Sequence, residues 1–220
     1  VTGQDGTVPI DADDVQALLP ELDDAPGPEL TGGGTADGLR FTGLELTGDA
    51  TGARFLECVL TACDLSGVVF DRARLAGCLL TELRSPAWSL VDATWLDVVA
   101  VGGRFGALTA HGAALTRVGL AGVKVDFLDL RGATLVDVTL TGCTIGELDL
   151  GGADLREVRL VDCTIGSLVL AGARSRAVDL RGGGIERLDG IAALRGCTIS
   201  TAQLTGWAAA MAAELGIGVG

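Results

Sequence analysis

The chain has 220 residues, of which 48% are apolar and 20% charged, and its formal net charge is −13. No stretch approaches the roughly 18 uninterrupted apolar residues of a spanning helix, because polar residues recur every second or third position. Tyr is absent and Lys and His occur once each, so the residue types that catalytic and nucleic-acid sites usually draw on are scarce.

The acidity is unevenly distributed. Residues 1–37 hold nine acids (Asp5, Asp11, Asp13, Asp14, Glu21, Asp23, Asp24, Glu29, Asp37) and neither Lys nor Arg, whereas residues 38–220 hold twenty acids against sixteen Arg and Lys. With its Pro and Gly content, this leader is expected to be largely disordered, either a solubilising tail or a partner-binding segment. Within it, Val15, Leu18, Leu19 and Leu22 fit a short helical turn capped by Asp13 or Asp14 and stopped or kinked at Pro20. Val1 to Asp14 carries no basic n-region and no apolar h-region, which gives the expectation of a cytoplasmic chain with no membrane partner.

From Ala53 the chain divides every five residues without insertion, through Ala53-Arg-Phe-Leu-Glu and Cys58-Val-Leu-Thr-Ala to Gly183-Gly-Ile-Glu-Arg, giving 27 consecutive units. The first residue is mostly Ala, Cys, Val or Leu, and the third mostly Leu, Ile or Phe. Two apolar residues two positions apart point to one side of an extended backbone. Neither a helix nor an alternating strand explains a period of five, but a coil with one short side and one corner per unit does. Every fourth unit begins with alanine (Ala53, Ala73, Ala93, Ala113, Ala133, Ala153, Ala173), and a second column reads Cys58, Cys78, Val98, Val118, Val138, Val158, Val178. Four units therefore make one coil, and the cross-section has four sides. Upstream, Leu39/Phe41 and Leu44/Leu46 repeat the pairing with a one-residue slip absorbed between Gly48 and Gly52.

The segment 83–112 is the least regular. Ser85, Ala100 and Ala110 replace the usual central Leu while Trp88 and Trp95 are oversized nearby, a pattern of volume compensation in one packed layer; a bend that re-aims one face is the other reading. Downstream of Cys197 and Ile199, Ser200 and Gln203 form a capping box. Leu204, Trp207, Ala208, Met211 and Leu215 then follow at helical spacing until Gly216. A helix here would cover the open end of the solenoid, and its stripe is the candidate dimer contact.

All six cysteines (Cys58, Cys63, Cys78, Cys143, Cys163, Cys197) sit at the first, inward position, with no Cys-x-x-Cys pair, so they read as core residues and no metal is expected. Cys58/Cys78 and Cys143/Cys163 fall in adjacent coils. His111 faces outward with no second histidine, leaving no catalytic residue to nominate. Gly32-Gly-Gly and Gly182-Gly-Gly lack the Lys-Ser/Thr of a phosphate loop, and no cofactor is implied. The side carrying Asp71, Asp92, Asp129, Asp149 and Asp189 is balanced only by Arg72 and Arg131 and is the candidate partner face. The side with Arg84, Arg104 and Lys124 is neutral, so direct nucleic-acid binding is not expected.

Units such as Ala153-Asp-Leu-Arg-Glu and Ala133-Thr-Leu-Val-Asp resemble the A(D/N)LXX repeat of the pentapeptide-repeat family over residues 38–199. The resemblance implies an all-β, right-handed quadrilateral β-helix over 38–199, preceded by the acidic leader 1–37 and followed by a C-terminal capping or dimerisation α-helix within 200–220. It also implies a non-enzymatic protein, a homodimer through that helix. Its closest functional analogy is to members that act as DNA mimics, binding DNA gyrase as a DNA-shaped topoisomerase inhibitor and giving antibiotic resistance by protecting the enzyme from quinolones. The alternative is a scaffold or protein-interaction module with another partner.

Overall fold

The computed structural model describes residues 10–218. Parallel strands stack into a four-sided β-solenoid of about nine turns that runs from Asp23 to Thr198 and ends in an α-helix. At about 4.8 Å per coil, the rod is about 40 Å long. We number its sides from the unit that begins at Ala53, so that the first, second, third and fourth sides begin at Ala53, Cys58, Cys63 and Val68.

Two main ladders build the rod, the first over its whole length and the second from Arg84 to Asp189. One passes through Thr94–Val101, Ala114–Ala121, Thr134–Thr141 and Asp154–Val161, each strand covering the first and second sides. The other passes through Arg84–Ser89, Arg104–Thr109, Lys124–Asp129, Thr144–Asp149, Cys163–Val169 and Gly183–Asp189 on the third and fourth. Partners are twenty residues apart, as in Val98↔Val118↔Val138↔Val158. Upstream the offset is nineteen, as in Phe41↔Leu60 and Glu45↔Asp64, which locates the slip between Glu45 and Arg54. A second nineteen-residue offset, Val178↔Cys197, follows the 3-10 turn Ile191–Leu194.

The alanine column has a local cause. Between the fourth and first sides the chain closes a tight turn in which Ala73, Ala93, Ala113, Ala133, Ala153 and Ala173 donate their N–H to the carbonyl three residues back. The third residue of this turn has positive φ, as at Gly132 (63°) and Gly152 (68°), the geometry of a type II turn, which favours glycine there. Arg72 and Asp92 hold the same conformation at 56° and 55°. A small side chain must follow such a turn to enter the core, and alanine is that side chain.

The first and third residues of each unit fill the interior. In the early coils the filling is aromatic: Phe55 stacks on Phe70 with centroids 5.3 Å apart, Phe70 meets Trp88 edge-on at 5.4 Å, and Trp88 stacks on Phe105 at 5.6 Å. Ser85 and Ala110 are buried in the same layers, the small residues that make room for the indoles. Cavities of about 20 and 30 Å³ remain beside Trp88 and Trp95.

The structure differs from the sequence expectation at the leader. Val1 to Pro9 lie outside the described residues, but residues 10–37 are not a disordered tail. Asp23–Asp24, Glu29–Leu30 and Thr35–Asp37 pair with the coil above them at offsets of sixteen, eighteen and nineteen residues. The irregular spacing hides this coil from a five-residue reading. Ahead of it, α1 (Ala12–Leu18) begins at an Asp11/Asp14 capping box, rather than at Asp13 or Asp14 alone, and buries Val15. The aliphatic residues of the segment find a patch on the rod, and this burial offsets the cost of ordering an acidic chain. Among the described residues no helix is long and apolar enough to cross a membrane.

Candidate interaction surface

Aspartate at the second position of a unit is a folding device. Asp49, Asp64, Asp129, Asp149 and Asp179 each accept a hydrogen bond from the backbone N–H two residues on, at 2.8–3.1 Å. A short carboxylate bridging to i+2 is an Asx turn, and here it fixes the corner. Several of these carboxylates also hold an arginine. Arg131 forks onto Asp129 at 2.9 and 2.7 Å, and Arg181 onto Asp179 with a shortest contact of 2.6 Å. Arg84, one coil above Asp64, reaches it at 3.0 Å.

The five aspartates of the fourth side are therefore not one surface. Asp129 is only 2% exposed, and the Arg131 hydrogen bonds hold its carboxyl below the usual range against the opposing effect of burial. Asp149 lies 3.7 Å from the same guanidinium and caps Gly151. Asp71 is half-buried and accepts from the Ser89 hydroxyl and the Val91 N–H. Asp92 and Asp189 remain exposed. His111 stands 3.9 Å from Asp129, and the Ser89 hydroxyl donates to Asp71.

The six thiols are free and inside the rod, Cys197 less deeply than the others. Cys58 and Cys78 donate to backbone carbonyls at 3.3–3.5 Å, as do Cys143 and Cys163 at 3.3–3.6 Å. The adjacent Cys58 thiol and burial raise Cys78 well above the ordinary thiol range, and Cys163 and burial do the same to Cys143. Among the described residues no group of three or more His, Cys, Asp or Glu is placed to hold a metal.

At the C-terminal end, α2 (Thr201–Glu214) starts at the Ser200/Gln203 capping box, and the Gln203 amide also donates to the carbonyls of Leu180 and Gly183 at 2.7 and 2.8 Å. One residue thus caps the helix and the last coil together. Of the predicted stripe, Trp207 is buried and Met211 half-buried within the same chain, while Leu204, Ala208 and Leu215 face outward, with Leu204 49% and Leu215 75% exposed.

What sequence reasoning missed is that the acidic leader is part of the rod. All acidic residues except Asp5, and all sixteen Arg and Lys, fall within residues 10–218, a net of −12. Residues 10–72 hold thirteen acids against Arg40, Arg54 and Arg72, a net of −10; residues 73–218 hold fifteen against thirteen, a net of −2. Because residues 10–37 fold onto the rod, its N-terminal third is strongly acidic and the remainder nearly balanced.

The family model for pentapeptide repeats matches residues 49–81. The sequence has no match among curated proteins. Among solved structures, a trypsin-treated variant of QnrB1, a plasmid-mediated fluoroquinolone resistance protein, is 17% identical, with 84% of this chain and all of that chain covered and a TM-score of 0.47. Full-length QnrB1 is 15% identical over 84% of this chain and all of its own, with a TM-score of 0.38. HetL, a pentapeptide-repeat protein involved in heterocyst differentiation regulation in the cyanobacterium Nostoc sp. strain PCC 7120, is 17% identical over 84% of this chain and 93% of its own, with a TM-score of 0.38. The matched units share one five-residue register with those that follow to Arg187, and all of them stack in the same four-sided coil, so the pentapeptide repeat that the family model recognises over residues 49–81 continues along the rod.

Proposed function

We propose that the chain is a non-enzymatic interaction rod whose acidic N-terminal coils engage a DNA-handling protein, with DNA gyrase as the first candidate, and that this contact protects the enzyme from quinolone-type poisons. The observation that carries the reading is the net charge of −10 on residues 10–72, folded onto a rigid β-rod instead of trailing from it. A surface of one sign raises the local concentration of a partner of the other sign and speeds its capture. A groove built to hold DNA is such a partner. The outward stripe Leu204, Ala208 and Leu215 supports pairing of two rods through α2, which doubles the length presented.

The test is gyrase supercoiling and DNA cleavage with increasing rod, with and without a fluoroquinolone. The reading expects inhibition of supercoiling, or fewer drug-stabilised breaks, at micromolar rod, and loss of the effect when Asp23, Asp24 and Glu29 are made amides. Absence of both effects rejects it.

A scaffold for another protein partner is the second reading, favoured by the C-terminal two thirds of the rod, where charge is balanced and several carboxylates are committed to corners. A pull-down in which a partner is retained by the triple-amide variant as well as by the unaltered chain would support it.

A further inference from the structure

On the second side the outward residues Val59, Leu79 and Val99 are covered by α1 through Val15. On the first side the outward fourth residue of each unit changes character along the rod. Its column reads Leu56, Ala76, Leu96, Thr116 and Val136, stacked in register, and then turns basic at Arg156 and Arg176. The nineteen-residue offset of the last coil extends the basic run by one. Ala177 turns the corner at φ 54°, and Gly196 takes the same corner one coil on at φ 86°, in keeping with the pairing Val178↔Cys197. Arg195 therefore stands one coil beyond Arg176, as Arg176 does beyond Arg156. The three side chains recur at the coil spacing of about 4.8 Å, and all are exposed.

Folding does not call for these arginines. Five earlier coils carry Leu, Ala, Thr or Val at the same place, and like charges stacked on neighbouring strands oppose their pairing. One carboxylate is committed to the group: Asp154 Oδ2 lies 3.2 Å from Arg156 and 3.3 Å from Arg174, at the second position of the next coil. Among the described residues Arg176 and Arg195 make no ion pair, and neither does the exposed Glu157 at the corner. Residues 153–157, 173–177 and 192–196 thus hold four arginines against Asp154 and Glu157, a net of +2 on a rod that is negative as a whole.

We propose that this arginine column is a docking surface for an acidic segment of a partner protein, bound through its carboxylates. Asp154 displays the chemistry the surface takes, a carboxylate oxygen shared between two guanidiniums in charge-assisted contacts. A segment that spans the three coils, about 10 Å, meets this patch alone. A nucleic acid is matched less well. Its affinity grows with the number of phosphates neutralised, four arginines are few, and a strand continuing along the rod meets the charge of −10 on residues 10–72. The surface lies at the opposite end of the rod from the acidic coils, and the inference does not depend on what those coils bind.

A fluorescein-labelled hexaglutamate peptide is the probe, with anisotropy as the readout. The full chain should bind it in about 50 mM salt and release it in about 0.5 M, as screening requires. Arg176→Ala with Arg195→Ala should weaken binding at least about tenfold. Arg104→Ala with Lys124→Ala removes the same charge from the third side and should change binding by less than about twofold, far-UV circular dichroism reporting the rod signal in both proteins. If the first double variant loses that signal, Arg176→Ala alone, expected to weaken binding about threefold, decides. The proposal is overturned if the peptide is not bound, if the two double variants weaken binding equally, or if an oligothymidylate of the same charge binds more tightly than the peptide, which would make the surface a nucleic-acid site. Self-association in sedimentation that Arg176→Ala with Arg195→Ala abolishes would make a second copy the occupant and likewise overturn it.

Discussion

The aromatic layer offers a direct measure of how the interior is packed. Phe70 and Trp88 occupy columns in which later coils carry leucine (Leu130 and Leu150; Leu108, Leu128 and Leu148), so Phe70→Leu and Trp88→Leu each install a residue this backbone already accepts. Cavities of about 20 and 30 Å³ beside Trp88 and Trp95 show that the neighbours do not close every gap. Replacing the indole then enlarges a void by about 60 Å³, which at about 24 cal/mol per Å³ costs about 1.5 kcal/mol, and the lost transfer energy of the removed atoms adds about 1–2 kcal/mol. Phe70→Leu should cost less, about 1–2 kcal/mol, since fewer atoms are lost. The edge-on contact at 5.4 Å adds a pair term of about 0.5–1.5 kcal/mol that either replacement removes, so the double variant should cost less than the sum of the singles by that amount. Urea denaturation followed by circular dichroism reads all four proteins. Additivity within about 0.3 kcal/mol, or a loss below about 1 kcal/mol for Trp88→Leu, would refute the packing account.

Further outcomes follow from the corners, the thiols and the terminal helix. Hydrogen bonds from Ser66 and Arg84 lower the Asp64 carboxyl to about 2 from 3.8; its stabilising contribution is therefore complete above about pH 4 and lost as the pH falls through about 2. The stability gap between the unaltered chain and Asp64→Asn, from urea denaturation across pH, should shrink over that window, and a gap independent of pH would contradict it. Ellman's reagent at pH 8 should modify the five buried cysteines of the folded chain only slowly and all six thiols promptly in denaturant; rapid reaction of Cys78 or Cys143 in the native protein would contradict their burial. Leu204→Asp with Leu215→Asp should leave stability within about 0.5 kcal/mol but shift a dimer to a monomer in sedimentation, whereas Trp207→Ala should cost about 2–4 kcal/mol because that ring is buried within its own chain. Unchanged association in the leucine variants would remove α2 from the interface.

The coil was legible in the sequence because its determinants are local and periodic. An inward pair every five residues, an alanine after each tight turn and a glycine at the slip near Gly48–Gly52 can each be read without knowing what lies one coil away. The first coil was not legible, since its sixteen- to nineteen-residue offsets break the period and its strands are two or three residues long. Docking of α1 was hidden for another reason. Val59, Leu79 and Val99 are outward residues whose apolar character looks like ordinary variation until a segment forty or more residues upstream is laid across them. Similarly, the 3.6-residue spacing of Leu204, Trp207, Ala208, Met211 and Leu215 identifies a helix, but it cannot say that Trp207 turns inward while Leu204 and Leu215 turn out.

The aspartates of this rod carry two meanings that a charge count merges. At the second position of a unit a carboxylate reaches the N–H two residues on, and where an arginine follows at the fourth position, as at Asp129/Arg131 and Asp179/Arg181, the pair fixes a corner and cancels its own field. Such residues add acidity to the composition and little to the potential a partner meets. Surface potential is set by acids that no corner, cap or cation holds, and residues 10–37, where the repeat loses its five-residue period, contribute Asp13, Glu21, Asp23, Glu29 and Asp37 to it with no basic residue of their own. Regular coils spend their charge on folding. Residues 10–37 contribute no arginine of their own, Asp24 meets Arg40 of the next coil at 3.6 Å, and lying on the rod instead of free in solution the segment presents a fixed acidic end. The part of the chain that fits the repeat worst is therefore the part whose charge is most available to another molecule.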